Sequence, residues 1–163
     1  AIPVQFGGYT KFVGIGPGSF ATVTAALAAA TAGDRILILR DTNEVGNLTV
    51  PAGVAIFQMP NTTVTITGTF GVIFSGAKGK WEGMNVKLLP TATLAIGVSV
   101  TAADCWVEGW VETNVAQTFT DLVNISSGGS RTYLAIGVKR TAGTVLNLLV
   151  NNDGASNANV WGG

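Results

Sequence analysis

The 163-residue sequence has no histidine, a single cysteine and few charged residues, which make up 11% of the chain. The absence of histidine removes the commonest general base and the commonest metal ligand of proteins. The lone Cys105 can form neither an intramolecular disulfide nor a cysteine-based zinc site. From these absences we expect no metal and no cofactor.

Charge of either sign is scarce and balanced, with nine basic and nine acidic residues. A nucleic-acid partner requires clustered Lys and Arg, and the sequence has no such stripe. Residues 45–77 are uncharged, but they are interrupted by Thr, Gly, Asn and Pro and so do not form an apolar membrane helix. We therefore expect no nucleic-acid partner and no membrane insertion.

The N-terminal part of the chain divides into a glycine-rich lead-in, residues 1–18, and a helical segment, residues 19–33. Ser19 is the expected N-cap, apolar residues recur at helical spacing after it, and Gly33 is placed to end the helix. The pattern predicts a helix over about residues 20–32.

After this helix the sequence changes to short β-branched runs bounded by Gly, Asn, Pro, Ser or Thr. The runs are 36–39, 54–57, 64–67, 72–74, 86–89, 94–100, 105–113, 122–125, 133–138 and 145–150. No second helical pattern separates them, which excludes alternating β-α units. The sequence therefore predicts an all-β body behind one helix.

The strand segments recur at a loose interval. Aligning Val86, Val111 and Val138 gives offsets of 25 and 27 residues, and the segments that begin at Leu94 and Leu122 are offset by 28. Variable spacing of about 25 residues is typical of the stacked coils of a parallel β-helix. A β-sandwich also has many short strands and remains an alternative, although no clear Asn-Gly or Asp-Gly turn lies between consecutive runs.

Residues 19–30, followed by Gly33-Asp34 and the first strand, resemble the opening of pectin-lyase-like right-handed parallel β-helices. In that family a small amphipathic helix covers the N-terminal end of the solenoid. Residues 48–56 are similar to a rung of that family, and residues 11–14 are similar to the segment before the helix in bacteriophage tail spikes and fibres. Beyond residue 60 the resemblance is architectural, and the chain lacks a recognisable catalytic motif.

This resemblance implies an all-β, right-handed parallel β-helix (solenoid) with a short N-terminal capping helix, in which residues 34–163 form the β-helix. Residues 151–163 offer no matching cap for the other end of the solenoid, so we expect a chain that is part of a longer protein or is completed by partner subunits. The resemblance also implies a homotrimer that works with other virion proteins on a phage tail or capsid surface. Such a trimer attaches the particle to a host-surface polysaccharide.

Residues 105–113 have the most informative side-chain pattern. At the two-residue period of a strand, Cys105 and every second residue after it are small or apolar, as a solenoid interior requires. The opposite, outward face would then present Trp106, Glu108, Trp110 and Glu112.

An exposed indole can pack on the C–H face of a sugar while carboxylates accept its hydroxyl protons. The candidate glycan-binding or subunit-interface residues are Trp106, Glu108 and Trp110, joined by Asn85 and Lys139 on adjacent rungs. Packing of the tryptophans against a loop or a neighbouring subunit is an alternative. A one-residue shift of register, which would turn them into the core, is another.

The same alignment places Lys87, Glu112 and Lys139 side by side on the outer face. Such a plus-minus-plus column is a structural charge ladder, so Glu112 is predicted to be neutralised rather than catalytic. A glycosidase holds its two carboxyl groups about 5–10 Å apart, whereas Glu108 and Glu112 are about 13 Å apart along one strand. The pairs formed by Glu108 with Glu82 or with Asp104 remain open on spacing alone.

Three functions follow as hypotheses. The first is non-catalytic attachment to a cell-surface polysaccharide by a virion appendage. The second is a structural spacer or decorating module without glycan binding. The third is a polysaccharide depolymerase, a glycosidase or lyase with its site between subunits, although no acidic cluster resembles the calcium site of lyases.

Overall fold

The computed structural model describes residues 8–69, 71–92, 94–113, 118–140, 144–145, 150–154 and 159–161. These residues contain one helix, α1 (Val23–Ala28), and fifteen strands. The strands are β1 (Lys11–Val13), β2 (Arg35–Ile38), β3 (Thr42–Glu44), β4 (Leu48–Val50), β5 (Ala55–Gln58), β6 (Val64–Gly68), β7 (Val72–Phe74), β8 (Lys80–Pro90), β9 (Leu94–Val100), β10 (Trp106–Thr113), β11 (Thr118–Ser126), β12 (Tyr133–Arg140), β13 (Thr144–Val145), β14 (Val150–Asp153) and β15 (Asn159–Trp161).

The strands form two sheets in which paired strands run parallel and come from successive turns of the chain. The first sheet has the order β1-β2-β5-β8-β10-β12-β15, and β6 joins β3 to β8 beside it. The second has the order β13-β11-β9-β7-β4, with β14 on β11. The chain thus winds as a β-solenoid of about five turns. The predicted parallel β-helix with a short helix is confirmed, and the β-sandwich alternative is wrong.

The alignment of the three valines is confirmed, because Val111 pairs with Val86 on one side and Val138 on the other. The offset of 28 residues predicted for the second sheet is wrong. There Ile125 pairs with Val100, so the offset is 25 residues. The error arose because β11 begins at Thr118, upstream of the predicted start of that strand.

Inward side chains stack in columns from turn to turn. One column in the first sheet consists of Ile36, Ile56, Trp81, Val107 and Leu134, which pair in register and are fully buried. Burying a large apolar side chain of this kind stabilises a fold by about 1.5–3 kcal/mol. These columns hold the outer face of the sheet rigidly in place.

The helix is shorter than predicted, and its N-cap is Thr22, whose side chain accepts a hydrogen bond from Ala25 N. The prediction of Ser19 as N-cap and of a helix over residues 20–32 is wrong. Ser19 Oγ donates to Gly16 O, and Phe20 N donates to Phe12 O, so this segment folds back on β1 before the helix begins.

Part of the predicted lead-in is a strand, since β1 pairs with β2. The helix α1 packs against β1, β3 and β4 and buries Val23, Ala26 and Leu27. It therefore covers the core at the first turn, where strand edges would otherwise be exposed. Among the described residues, no helix has both the length and the apolar character needed to cross a bilayer.

Candidate functional site

The outer face of β10 carries the two tryptophans singled out by the sequence. Val107 and Val111 are fully buried, whereas Trp106 is 40% exposed and Trp110 is 58% exposed. The predicted inward and outward faces of this strand are therefore confirmed. The alternative register, which would place the tryptophans in the core, is wrong.

Trp106 is covered on both sides by neighbouring turns. Its ring stacks on that of Tyr133, with ring centroids 4.1 Å apart and planes inclined by 22°. Lys80 Nζ lies 5.5 Å from the Trp106 ring centroid. Because Lys80, Trp106 and Tyr133 are in register on consecutive turns, the two contacts occupy opposite faces of the indole. These two contacts make Trp106 part of the scaffold, although the residue remains 40% exposed.

This packing continues toward the N-terminal end as a cation–aromatic ladder, consisting of Tyr9, Arg35, Phe57, Lys80, Trp106 and Tyr133. The Arg35 guanidinium lies 4.9 Å from the Phe57 ring centroid, and Lys80 Nζ lies 5.7 Å from it. Cation–π contacts at exposed sites stabilise by about 0.5–1 kcal/mol each. The ladder thus ties the turns together on their outer surface.

Trp110 is different, because the residue beside it on the next turn is Gly137. A Cβ added at Gly137 would overlap the six-membered ring of the indole at Cζ3. The ring therefore lies directly over the glycine backbone and remains largely open to solvent. The absence of a side chain at Gly137 is what permits this position.

A groove of about 490 Å³ lies beside Trp110 and crosses three turns. It is lined by Gln58, Met59, Pro60, Asn61 and Thr62 from the end of β5 and the loop after it, by Gly83, Met84 and Asn85 of β8, and by Glu108, Gly109 and Trp110 of β10. Three of the predicted site residues, Asn85, Glu108 and Trp110, therefore lie together. Trp106 and Lys139 do not line the groove.

A β-bulge creates this groove. The register between β8 and β10 shifts between Val107 and Gly109, where β8 carries one extra residue. Gly83 and Gly109 have φ of 68° and 140°, in the region that favours glycine. A Cβ at Gly109 would overlap the backbone of Met84, so only glycine permits this approach of the two strands.

The floor of the groove is a saturated hydrogen-bond network around Gln58, which is only 6% exposed. Gln58 Oε1 accepts from Trp81 Nε1 at 3.2 Å and from Asn85 N at 3.0 Å. Gln58 Nε2 donates to Thr62 O and to Asn85 O, both at 3.0 Å. Asn85 Nδ2 donates to Thr62 O at 2.8 Å and to Thr63 Oγ1 at 3.3 Å. These bonds fix the loop after β5 against β8, so the floor is preorganised.

Glu82 and Asp104, the carboxylates that the sequence left open as partners of Glu108, are both paired with cations. Glu82 pairs with Lys80 at 2.6 Å, and Asp104 pairs with Arg131 at 2.7 Å. Hydrogen bonding from Arg131 lowers the pKa of Asp104, which is the opposite of what a general acid needs. Within the described parts of the chain, the Glu108 carboxylate has no cation within 4.0 Å.

The predicted outer charge column is aligned as expected, since Glu112 pairs in register with Lys87 and with Lys139. No N–O distance of 4.0 Å or less joins Glu112 to either lysine in the described residues. A bonded ion pair instead links Asp104 to Arg131 at the turn before the strand. This pair was not predictable from strand periodicity, because both residues lie in turns outside the strands.

Sequence reasoning also missed Gln58 and Gly137. Gln58 is a buried polar residue on a strand with apolar neighbours. One of its partners, Thr62, lies in a loop whose path the sequence does not specify, and the others lie on β8 next to the bulge. Gly137 could have been found, because it falls opposite Trp110 in the valine alignment.

No group of three or more His, Cys, Asp or Glu side chains in the described residues is arranged to hold a metal ion. Comparison of the chain with protein-family models, curated proteins and solved structures gives no match. The resemblance to pectin-lyase-like β-helices therefore rests on the residues quoted above and stays a prediction.

Proposed function

We propose that this β-helix is a non-catalytic saccharide-binding domain that attaches a virion appendage, of the phage tail spike or tail fibre type, to a host-surface polysaccharide. The observation that supports it best is the position of Trp110, which lies over Gly137 with most of its indole open beside the groove. An open indole next to carboxylate and amide oxygens is suited to a sugar ring.

The size of the groove agrees with a small-molecule ligand. Its volume of about 490 Å³ falls within the range of about 300–1,000 Å³ that is usual for small-molecule sites. Trp110 would pack on the C–H face of a sugar, and Glu108 would accept hydroxyl protons at the edge of the ring. The preorganised floor lowers the cost of ordering the site on binding.

The carboxylates near the groove support binding without catalysis. Glycoside hydrolysis requires one carboxylic acid with a raised pKa and a second carboxylate close to the same bond. Glu82 and Asp104 are each bonded to a cation, and Glu108 alone among the described carboxylates lines the groove. A depolymerase would therefore need a residue from another subunit.

A single shallow groove binds a saccharide weakly, and attachment of a particle requires a higher overall affinity. A homotrimer, as the family resemblance implies, presents three grooves to one polysaccharide, and avidity then raises the overall affinity without any new contact. On this proposal the partners are the host-surface polysaccharide and the other virion proteins, and the protein works on the virion surface.

Calorimetric titration with a panel of bacterial-surface oligosaccharides tests the proposal. We expect Trp110→Ala to weaken binding at least about tenfold, a loss of about 1.4 kcal/mol. Trp106→Ala is the matched control and is expected to retain binding, because both faces of that indole are already covered. Equal losses in the two variants, or no response to any oligosaccharide, would overturn the proposal.

A second candidate is a structural module whose exposed apolar side chains form a subunit interface. Met59, Trp106 and Trp110 are each at least 40% exposed and lie on the outer side of the first sheet and its adjoining loop. Sedimentation velocity distinguishes this candidate, because Trp110→Ala would then convert an oligomer into monomers. If the groove binds saccharide instead, we expect the unmodified protein and Trp110→Ala to have the same sedimentation coefficient.

A further inference from the structure

The charge of the groove narrows the class of saccharide that it takes. Among its described lining residues Glu108 is the only one that is charged, so the groove is negative. Lys80 lies one turn away but is already bonded to Glu82 at 2.6 Å. Arg131 is likewise bonded to Asp104 at 2.7 Å. Glu108 is left as a carboxylate that a ligand can neutralise.

The side-chain hydrogen bonds at the floor of the groove also favour a ligand that donates hydrogen bonds. Gln58 and Asn85 each donate two amide N–H bonds within the protein, and Thr62 Oγ1 donates to Met59 O at 2.7 Å. Their donors are therefore used, and the site relies on the carboxylate oxygens of Glu108 as acceptors. Among the described residues that line the groove, only Asn61 and Trp110 have side-chain N–H groups without a protein partner.

We infer that the groove selects saccharides bearing a protonated amine, which binds at Glu108 while the sugar ring packs on Trp110. This inference rests on the proposed function and names the ligand class of the same site. A protonated amine supplies both the positive charge and the hydrogen-bond donors that Glu108 accepts. N-acetylation removes that charge, and a uronic acid would add a second negative charge beside Glu108.

The test compares three tetrasaccharides of equal length, built from glucosamine, from N-acetylglucosamine and from galacturonic acid, in calorimetric titrations. The pH is set at about 6, below the pKa of an ordinary amine. We expect the glucosamine tetrasaccharide to bind about five- to tenfold more tightly than the acetylated one, as for a partly exposed charge-assisted hydrogen bond. The galacturonic acid tetrasaccharide should bind most weakly.

Two variants with the same change of charge isolate the site. Glu108→Gln should abolish the preference for the amine, so that the glucosamine and N-acetylglucosamine tetrasaccharides bind with equal affinity. Glu112→Gln removes a carboxylate from the same strand outside the groove and should keep the preference. In the unmodified protein, a higher salt concentration should reduce the ratio of affinities for the glucosamine and N-acetylglucosamine tetrasaccharides, because ions screen exposed charges.

Each contrary result has a definite meaning. Equal or tighter binding of the acetylated tetrasaccharide, with Trp110→Ala still weakening it, would overturn the inference and leave the saccharide groove standing. Equal losses in Glu108→Gln and Glu112→Gln would also overturn it, because the attraction would then be general electrostatics. Failure of all three ligands to bind, or indifference to Trp110→Ala, would overturn the proposed function itself.

Discussion

Asp104 and Arg131 lie at the same place on consecutive turns and are joined by two hydrogen bonds, of 2.7 Å to Oδ1 and 2.8 Å to Oδ2. Both have left-handed backbone, with φ of 60° and 56°. Lys78, one turn earlier, has φ of 62° and completes a plus-minus-plus column. Earlier turns place Gly33 and Gly53 at the corresponding position, also with positive φ. The bidentate pair therefore stabilises a turn that would otherwise favour glycine.

The Asp104–Arg131 pair predicts a specific dependence of stability on pH. Hydrogen bonding from Arg131 lowers the pKa of Asp104 in the folded state. A carboxyl whose pKa is lowered on folding stabilises the protein above its unfolded-state pKa, about 3.9, and this stabilisation is lost as the pH falls through the lowered value. We expect Asp104→Asn to lower the free energy of unfolding at pH 6 and to have a smaller effect at pH 2.

Urea unfolding at several pH values measures this difference. Glu112→Gln serves as the control, because its carboxylate has no ion pair within 4.0 Å among the described residues. A constant difference between Asp104→Asn and the unmodified protein from pH 6 to pH 2 would contradict the prediction.

Glu44 ties the first turn of the solenoid to the helix that covers it. Its side chain is buried, with 1% exposure, and accepts from Val23 N at 2.7 Å, from Thr24 N at 3.1 Å and from Thr24 Oγ1 at 2.6 Å. Glu44→Ala leaves the N–H groups at the start of the helix without these acceptors, so we expect a loss of about 2–4 kcal/mol in the free energy of unfolding. Chemical denaturation monitored by circular dichroism measures it.

Asn43→Ala is the matched control, because Asn43 is the exposed neighbour on the same strand. Exposed substitutions of this kind change stability by about 0.5 kcal/mol or less. The interpretation of Glu44 as a helix-fixing residue fails if Glu44→Ala is no more destabilised than Asn43→Ala.

The orientation of β10 was predictable because a two-residue period with small residues on one side allows only one face to be buried in a narrow solenoid. The partners of Trp106 were not equally predictable. Tyr133 follows from the valine alignment, since Val111 pairs with Val138. The same alignment without a bulge would set Trp81 beside Trp106, whereas the extra residue in β8 turns Trp81 inward and brings Lys80 to that place. The groove depends on the same bulge, which the sequence marks only by two isolated glycines within the strands, Gly83 and Gly109.

Gln58 and Asn85 are expected to act as one unit in holding the floor of the groove. The Gln58 side chain exchanges two hydrogen bonds of 3.0 Å with the backbone N and O of Asn85. The two side chains are coupled through Thr62 O, which accepts from both. We expect Gln58→Ala to cost about 1–3 kcal/mol, because buried groups lose their partners. In a double-mutant cycle with Asn85→Ala, the coupling should be at least about 0.5 kcal/mol. Additive losses in the urea-unfolding cycle would contradict this shared role.

Gly137 controls the position of Trp110. Substituting Gly137 moves the indole while every side chain that lines the groove is still present. In Gly137→Ala the new Cβ would overlap the indole at Cζ3, so the ring must move away from the next turn. We expect weaker saccharide binding and a shifted tryptophan emission maximum, with a stability loss of about 1–3 kcal/mol. Gly46→Ala is the matched control, since a Cβ there would meet no atom within 4 Å. Unchanged emission and unchanged saccharide affinity in folded Gly137→Ala would show that Trp110 does not depend on this glycine.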